Sequence, residues 1–149
     1  MSSSIKLQID TEVKNAMRAR DKQRLGVLRL TMSEFKKVEV DERIELDDLR
    51  VLSILDKMSK QRRDSLSQFA SAGRDDLVAQ ESFELDVLKE FMPEPLSATE
   101  LKSIVDAAIA EVGATSIREM GKVMEILKPR VQGRADMGEV GSLVKADLS

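Results

Sequence analysis

Histidine, cysteine, tryptophan and tyrosine are all absent from this chain of 149 residues, and four phenylalanines are its only aromatic side chains. Each absence removes a class of chemistry. Without cysteine there is no disulfide, thiol nucleophile or thiolate metal site. Without histidine there is no Ser-His-Asp triad and no ordinary zinc site. Acid–base work would fall to carboxylates or lysine. No cofactor, metal or catalytic residue is expected, and the chain leans away from being an enzyme. Few aromatics also leave the core to Leu, Ile, Val, Met and Ala, a palette that suits helices better than sandwiches or barrels. The start, Met1 to Lys6, lacks an apolar signal-like segment, and no apolar run is long enough to span a bilayer. The expectation is a soluble cytoplasmic protein with no membrane partner.

Charge of one sign is missing too. Lysine and arginine total 24 against 27 aspartates and glutamates, a net charge of −3, and neither half of the chain is basic. Bulk electrostatics therefore argues against non-specific nucleic-acid binding, though not against a local basic patch.

Glycine and proline are scarce and unevenly placed. Before Pro93 there are only Gly26 and Gly73 and no proline; Pro93, Pro95 and Pro129 with five glycines follow. This shift marks a boundary at Pro93-Glu94-Pro95. The fold class expected is all-α, with an N-terminal four-helix domain over 1–92 and a small three-helix tail over 93–149.

In the first part, Ile5, Ile9, Val13, Ala16 and Met17 share one helical face, and Leu25, Leu28, Met32 and Phe35 a second. A third helix starts at Asp47 or Asp48, which can cap it, and runs to about Ser71; a fourth runs from about Asp75 to Met92. In the tail, Ser97-x-x-Glu100, Ser116-x-x-Glu119 and Asp136-x-x-Glu139 each read as a capping box. Leu96 and Leu101 are placed as a hydrophobic staple, Gly113 ends the first tail helix, and Pro129 ends the second.

Some charges stand on apolar stripes. Val51, Leu55, Met58, Leu66 and Phe69 align on the third helix, and Arg62 falls among them with Ser65 beside it. Leu77, Leu88, Phe91 and Met92 align on the fourth, together with Glu81 and Glu84. Arg62 and Glu84 are equidistant from Gly73, so an antiparallel hairpin predicts an ion pair of Arg62 with Glu84 or Glu81, bidentate in the best geometry. Such a network fixes helix register; alternatively, the two carboxylates serve acid–base work or a hard cation. The first reading is preferred, because Glu-x-x-Glu is common on helices.

Two basic groups read either as solvated surface or as phosphate contacts. Lys57, Lys60, Arg62 and Arg63 crowd the third helix, with Asp56 and Asp64 among them. In the tail, Lys122, Lys128, Arg130 and Arg134 surround the segment 128–134, read as a loop that ends at the N-terminus of the last helix, where an anion is favoured. No Gly-rich nucleotide-binding pattern occurs.

The same residues carry a resemblance. Lys60-Gln61-Arg62-Arg63-Asp64-Ser65, Phe69, Ala72-Gly73-Arg74-Asp75-Asp76-Leu77, Glu81 and Glu84 resemble the YqeY family. So do Arg24-Leu25, Leu28-Arg29, Met92-Pro93, Met120-Gly121-Lys122-Val123-Met124 and Gly133-Arg134-Ala135-Asp136. The match runs from about Ile5 to Leu148. That family is similar to the C-terminal region of the B subunit of tRNA-dependent amidotransferases (GatB), in which the comparable domain is implicated in holding tRNA. Gly121, Lys122, Val123, Met124, Gly133, Arg134, Ala135, Val140, Leu143 and Val144 match that tail. The segment between Met124 and Gly133 is about one helical turn longer here. The ATP-dependent site of that subunit lies in a separate catalytic domain with no counterpart in this sequence.

The resemblance implies a helical binding module whose partner is tRNA or a tRNA-handling enzyme. Its contacts would be Lys122, Lys128, Arg130 and Arg134, aided by Lys60 and Arg63. Two alternatives stay open: an accessory part of amide transfer (a carbon–nitrogen ligase with glutamine as amido-nitrogen donor), and a protein–protein adaptor using exposed Met or Leu of the tail.

Overall fold

The computed structural model describes residues 3–149, and among them all regular structure is helical. Seven α-helices run in the order α1 (Ser4–Ala19), α2 (Lys22–Glu42), α3 (Asp48–Ser71), α4 (Asp75–Lys89), α5 (Ala98–Val112), α6 (Met120–Val131) and α7 (Met137–Leu148). A single 3-10 turn, Ile117–Glu119, precedes α6. The chain divides into two compact units between Met92 and Pro93.

Short polar side chains set the helix starts of the first unit. Ser3, Asp21 and Asp47 accept hydrogen bonds from the backbone N–H groups of Lys6, Arg24 and Arg50, satisfying donors that the first turn leaves unpaired. Asp48 ties α3 to α1 by accepting from the hydroxyls of Ser3 and Ser4 and from the N–H of Ile5. Gly73, at φ 70°, supplies the left-handed residue of the α3–α4 turn.

The core of this unit gathers Ile9 and Ala16 from α1, Leu28 and Phe35 from α2, Val51, Leu55 and Met58 from α3, and Leu88 from α4. Full burial of each large apolar side chain stabilises by roughly 1.5–3 kcal/mol. Met17, expected on the buried face of α1, is instead 51% exposed. It lies next to the helix end, where Arg20 turns left-handed and the chain leaves for α2. The fourth helix ends at Lys89, short of Met92. Residues 90–92 continue as tight turns, their N–H groups donating three residues back to Val87, Leu88 and Lys89.

The second unit has its own core, built from Leu101, Val105, Val123, Leu127, Val140 and Val144 with their neighbours. Of the three expected capping boxes, only Ser97–Glu100 forms both bonds. Ser116 makes no side-chain cap, and Glu119 accepts from the N–H of Thr115 instead, because the residues between them wind as a 3-10 turn. Asp136 caps α7 through the N–H of Gly138. Pro129 does not end its helix: α6 continues to Val131, which is fully buried, and the N–H of Gln132 still reaches the carbonyl of Lys128. Proline's fixed φ is itself helical, so the loss is one donor and some crowding. Anchoring Val131 in the core offsets it.

Candidate nucleic-acid interface

The expected network between α3 and α4 brings its three members together. Arg62 Nε lies 3.4 Å from Glu84 Oε2, with the two side chains 15% and 18% exposed. The pair is close enough for Coulomb attraction, but Arg62 Nε is buried and has no hydrogen-bond partner. A bidentate fork is therefore not formed. Glu84 Oε1 accepts from Gln80 Nε2 at 3.3 Å, one turn earlier on its own helix, while Oε2 faces the guanidinium. Burial pushes the Glu81 carboxyl above the usual glutamate range; the neighbouring Glu84 adds to the rise and Arg62 opposes it. Among the described residues no group of three or more metal-capable side chains assembles.

The basic residues fall into three kinds. Arg130 is occupied: it grips Glu111 of α5 with two hydrogen bonds, 2.6 and 3.1 Å, and these hold the Glu111 carboxyl below its ordinary range. Nothing in the local sequence signals this partner, which stands 19 residues upstream. Arg134 is half-buried, and its Nε–H donates to the Glu94 carbonyl at 3.3 Å, while the N–H of Leu96 donates to the Arg134 carbonyl at 2.8 Å. This residue clasps the segment leading into α5. Lys122 and Lys128 are exposed, and among the described residues neither has an ion-pair partner. Their helical spacing sets them on either side of Glu125 on the outer face of α6.

Residues 128–134 therefore do not form the loop expected from sequence. Lys128 and Arg130 sit in the last turn of α6, and they project to nearly opposite sides of it. In the other unit, Lys60 and Arg63 are exposed on α3, opposite and beside its buried face. The exposed apolar contact proposed for an adaptor is not found on tail Met or Leu residues. Among the described residues of the tail, the one large exposed apolar side chain is Ile117, at 44%.

Comparison with known proteins agrees with this architecture. A family model described as Yqey-like protein matches residues 6–148. Three fungal relatives share the name "Altered inheritance of mitochondria protein 41, mitochondrial". The protein from Eremothecium gossypii is 35% identical over 107 residues, covering 70% of this chain and 58% of the relative. A Saccharomyces cerevisiae protein is 29% identical over 114 residues, 72% of this chain and 62% of the relative. The Pyrenophora tritici-repentis protein is 30% identical over 128 residues, 83% and 71% respectively. The matched region thus spans about three fifths of the first two relatives. An all-helical chain whose family match runs from the first turn of α1 to the last residue of α7 belongs to the YqeY family.

Proposed function

We propose that this YqeY-family chain is a helical binding module that docks on tRNA, or on an enzyme handling tRNA, through the outer face of α6. The observation that carries the reading is the contrast among the four tail cations. Arg130 is paired with Glu111 and Arg134 clasps Glu94, whereas Lys122 and Lys128 stand exposed without an ion pair among the described residues. Phosphate contact needs such uncommitted cations. With so few aromatics, base stacking is a poor mode, so the backbone and shape of the RNA are what the module reads. Lys60 and Arg63 belong to the same proposal as auxiliary contacts. A cytoplasmic location is also part of it; fractionation of cells carrying the tagged chain separates this from the mitochondria named for the fungal relatives.

The test is binding of deacylated tRNA to the full chain across a salt series, with duplex DNA as competitor. The expected result is a tRNA preference, with affinity that falls as salt rises. Lys122→Gln with Lys128→Gln reduces the slope of log affinity against log salt by about 0.7–0.9 for each phosphate no longer neutralised. Arg130→Gln changes affinity much less than either lysine substitution. Unchanged binding by the double lysine variant removes the α6 assignment.

A further inference from the structure

The solvent face of α2 carries a seven-residue pattern. At about 100° per residue, Gln23, Gly26, Leu30, Ser33, Lys37 and Val40 follow one another three and four apart, on the side away from buried Leu28 and Phe35. This is the spacing of a coiled-coil seam. All six are exposed, Leu30 to 42% and Val40 to 64%. Lys22, Arg29 and Lys36 repeat along one flank of the seam, and Glu34 and Asp41 repeat along the other. None of these five makes a side-chain hydrogen bond or ion pair among the described residues. The charges on the remaining faces of α2 are all committed. Arg24 holds Glu12 and Glu90, Glu39 is held by Lys6, and Glu42 pairs with Arg50. Beside the cationic flank, Met32 and Val40 line an open groove of about 1070 Å³.

Two seam positions are small: Gly26 and Ser33, seven residues apart. Gly26 is in ordinary α-helix, where glycine is less stable than alanine. A Cβ added there meets nothing within 4 Å. Nothing within one copy of the chain calls for a glycine at this position, whereas close approach of a second helix backbone does.

We propose that this face binds α2 of a second copy of the chain, with the two helices parallel and related by a two-fold axis. Charge decides both the occupant and its direction. In a parallel pair, the flank residue that precedes one seam position lies across from the opposite flank of the partner, five positions further on. Arg29 then faces the partner's Glu34 and Lys36 faces the partner's Asp41, and the two-fold axis repeats both pairs. An antiparallel pair would set cations against cations and anions against anions. A nucleic acid would be repelled by Glu34 and Asp41 and would have no use for Leu30 and Val40. An acidic helix of another protein would satisfy only the cationic flank. With two large apolar residues in the seam, the dimer is a weak one, and Lys37, which meets its own copy, opposes it. The site is independent of the α6 reading.

The experiment is sedimentation equilibrium of the full chain over a concentration series. The expected result is a reversible monomer–dimer equilibrium. Arg29→Glu with Lys36→Glu weakens self-association by at least about tenfold, because four attractive pairs become repulsive. Glu34→Lys with Asp41→Lys does the same. An equimolar mixture of the two double variants dimerises at least as tightly as the parent, since each flank now meets its opposite in both directions. Lys37→Leu tightens self-association, where loss of a cation would weaken any anion-binding face. Direction is read by crosslinking. The chain has no cysteine, so Val40→Cys forms an intermolecular disulfide in air by meeting its own copy across the axis. Leu7→Cys, exposed on α1, does not. A chain that stays monomeric up to about 1 mM overturns the proposal. So does parent-like association of either double variant, failure of their mixture to associate, or equal crosslinking at Leu7 and Val40.

Discussion

Arg62, Glu81 and Glu84 are where single residues depart most from an ordinary apolar interface. Burial and Glu84 hold the Glu81 carboxyl above its ordinary value of 4.5. A raised carboxyl pKa in the folded state means that the native protein binds this proton more tightly than the unfolded chain does. The Glu81 contribution to stability is therefore fully present below pH 4.5 and is lost as pH rises through the elevated value. Glu81→Gln, which mimics the protonated form, is expected to raise the melting temperature at pH 7. The gain disappears when melting is followed down to below pH 4.5. A variant that melts lower than the parent at pH 7 would show that the carboxylate is needed in its charged form. The juxtaposition of Arg62 with the two glutamates was legible from spacing about Gly73, because an antiparallel hairpin makes equidistant positions neighbours. The single contact through Nε was not legible, since spacing gives which positions are neighbours and not how their side chains meet.

At the scale of elements, capping separates residues that look alike in sequence. Ser97 and Ser116 both precede a glutamate by three residues, yet only Ser97 accepts a cap hydrogen bond. Ser97→Ala is expected to destabilise the tail by about 1 kcal/mol. Ser116→Ala is expected to lie within the roughly 0.5 kcal/mol typical of neutral surface changes, both measured by denaturant melts. A comparable loss at Ser116 would restore the second box. The motif specifies side chains able to cap, but it does not specify whether the intervening residues wind as α or 3-10 helix. Pro129 shows the same limit in the other direction. Its local effect is to end a helix, but the burial of Val131 keeps α6 going past it. That continuation puts Lys128 and Arg130 on opposite sides of a helix instead of along one loop.

For the whole molecule, the consequence of two separate cores is two separable stabilities. The unit that begins at Pro93 is small, and small units bury proportionally little surface. Leu127 is fully buried in its core. Leu127→Ala is expected to cost the second unit about 2–5 kcal/mol, enough to expose the amides of α5, α6 and α7 to hydrogen exchange. Protection in α1 to α4 should be retained. Uniform loss across the chain would mean that the two units unfold as one. The overall charge of −3 also bears on function at this scale. Any RNA contact must come from local cations such as Lys122 and Lys128 on α6, because the net field of the protein repels a polyanion.

The sequence by itself determined that the chain is helical. Apolar residues recur with helical period, small polar residues stand at most starts, and few of the aromatic residues that favour strands compete. It also placed the change in composition at Pro93, since proline and glycine act through local backbone geometry. Only the tertiary structure decided which charges are available. Glu111 reaches Arg130 from another helix, Glu94 engages Arg134 through its backbone, and Lys122 and Lys128 are left exposed. Pairing of this kind is set by distances between elements, and helical period constrains only neighbours on the same element.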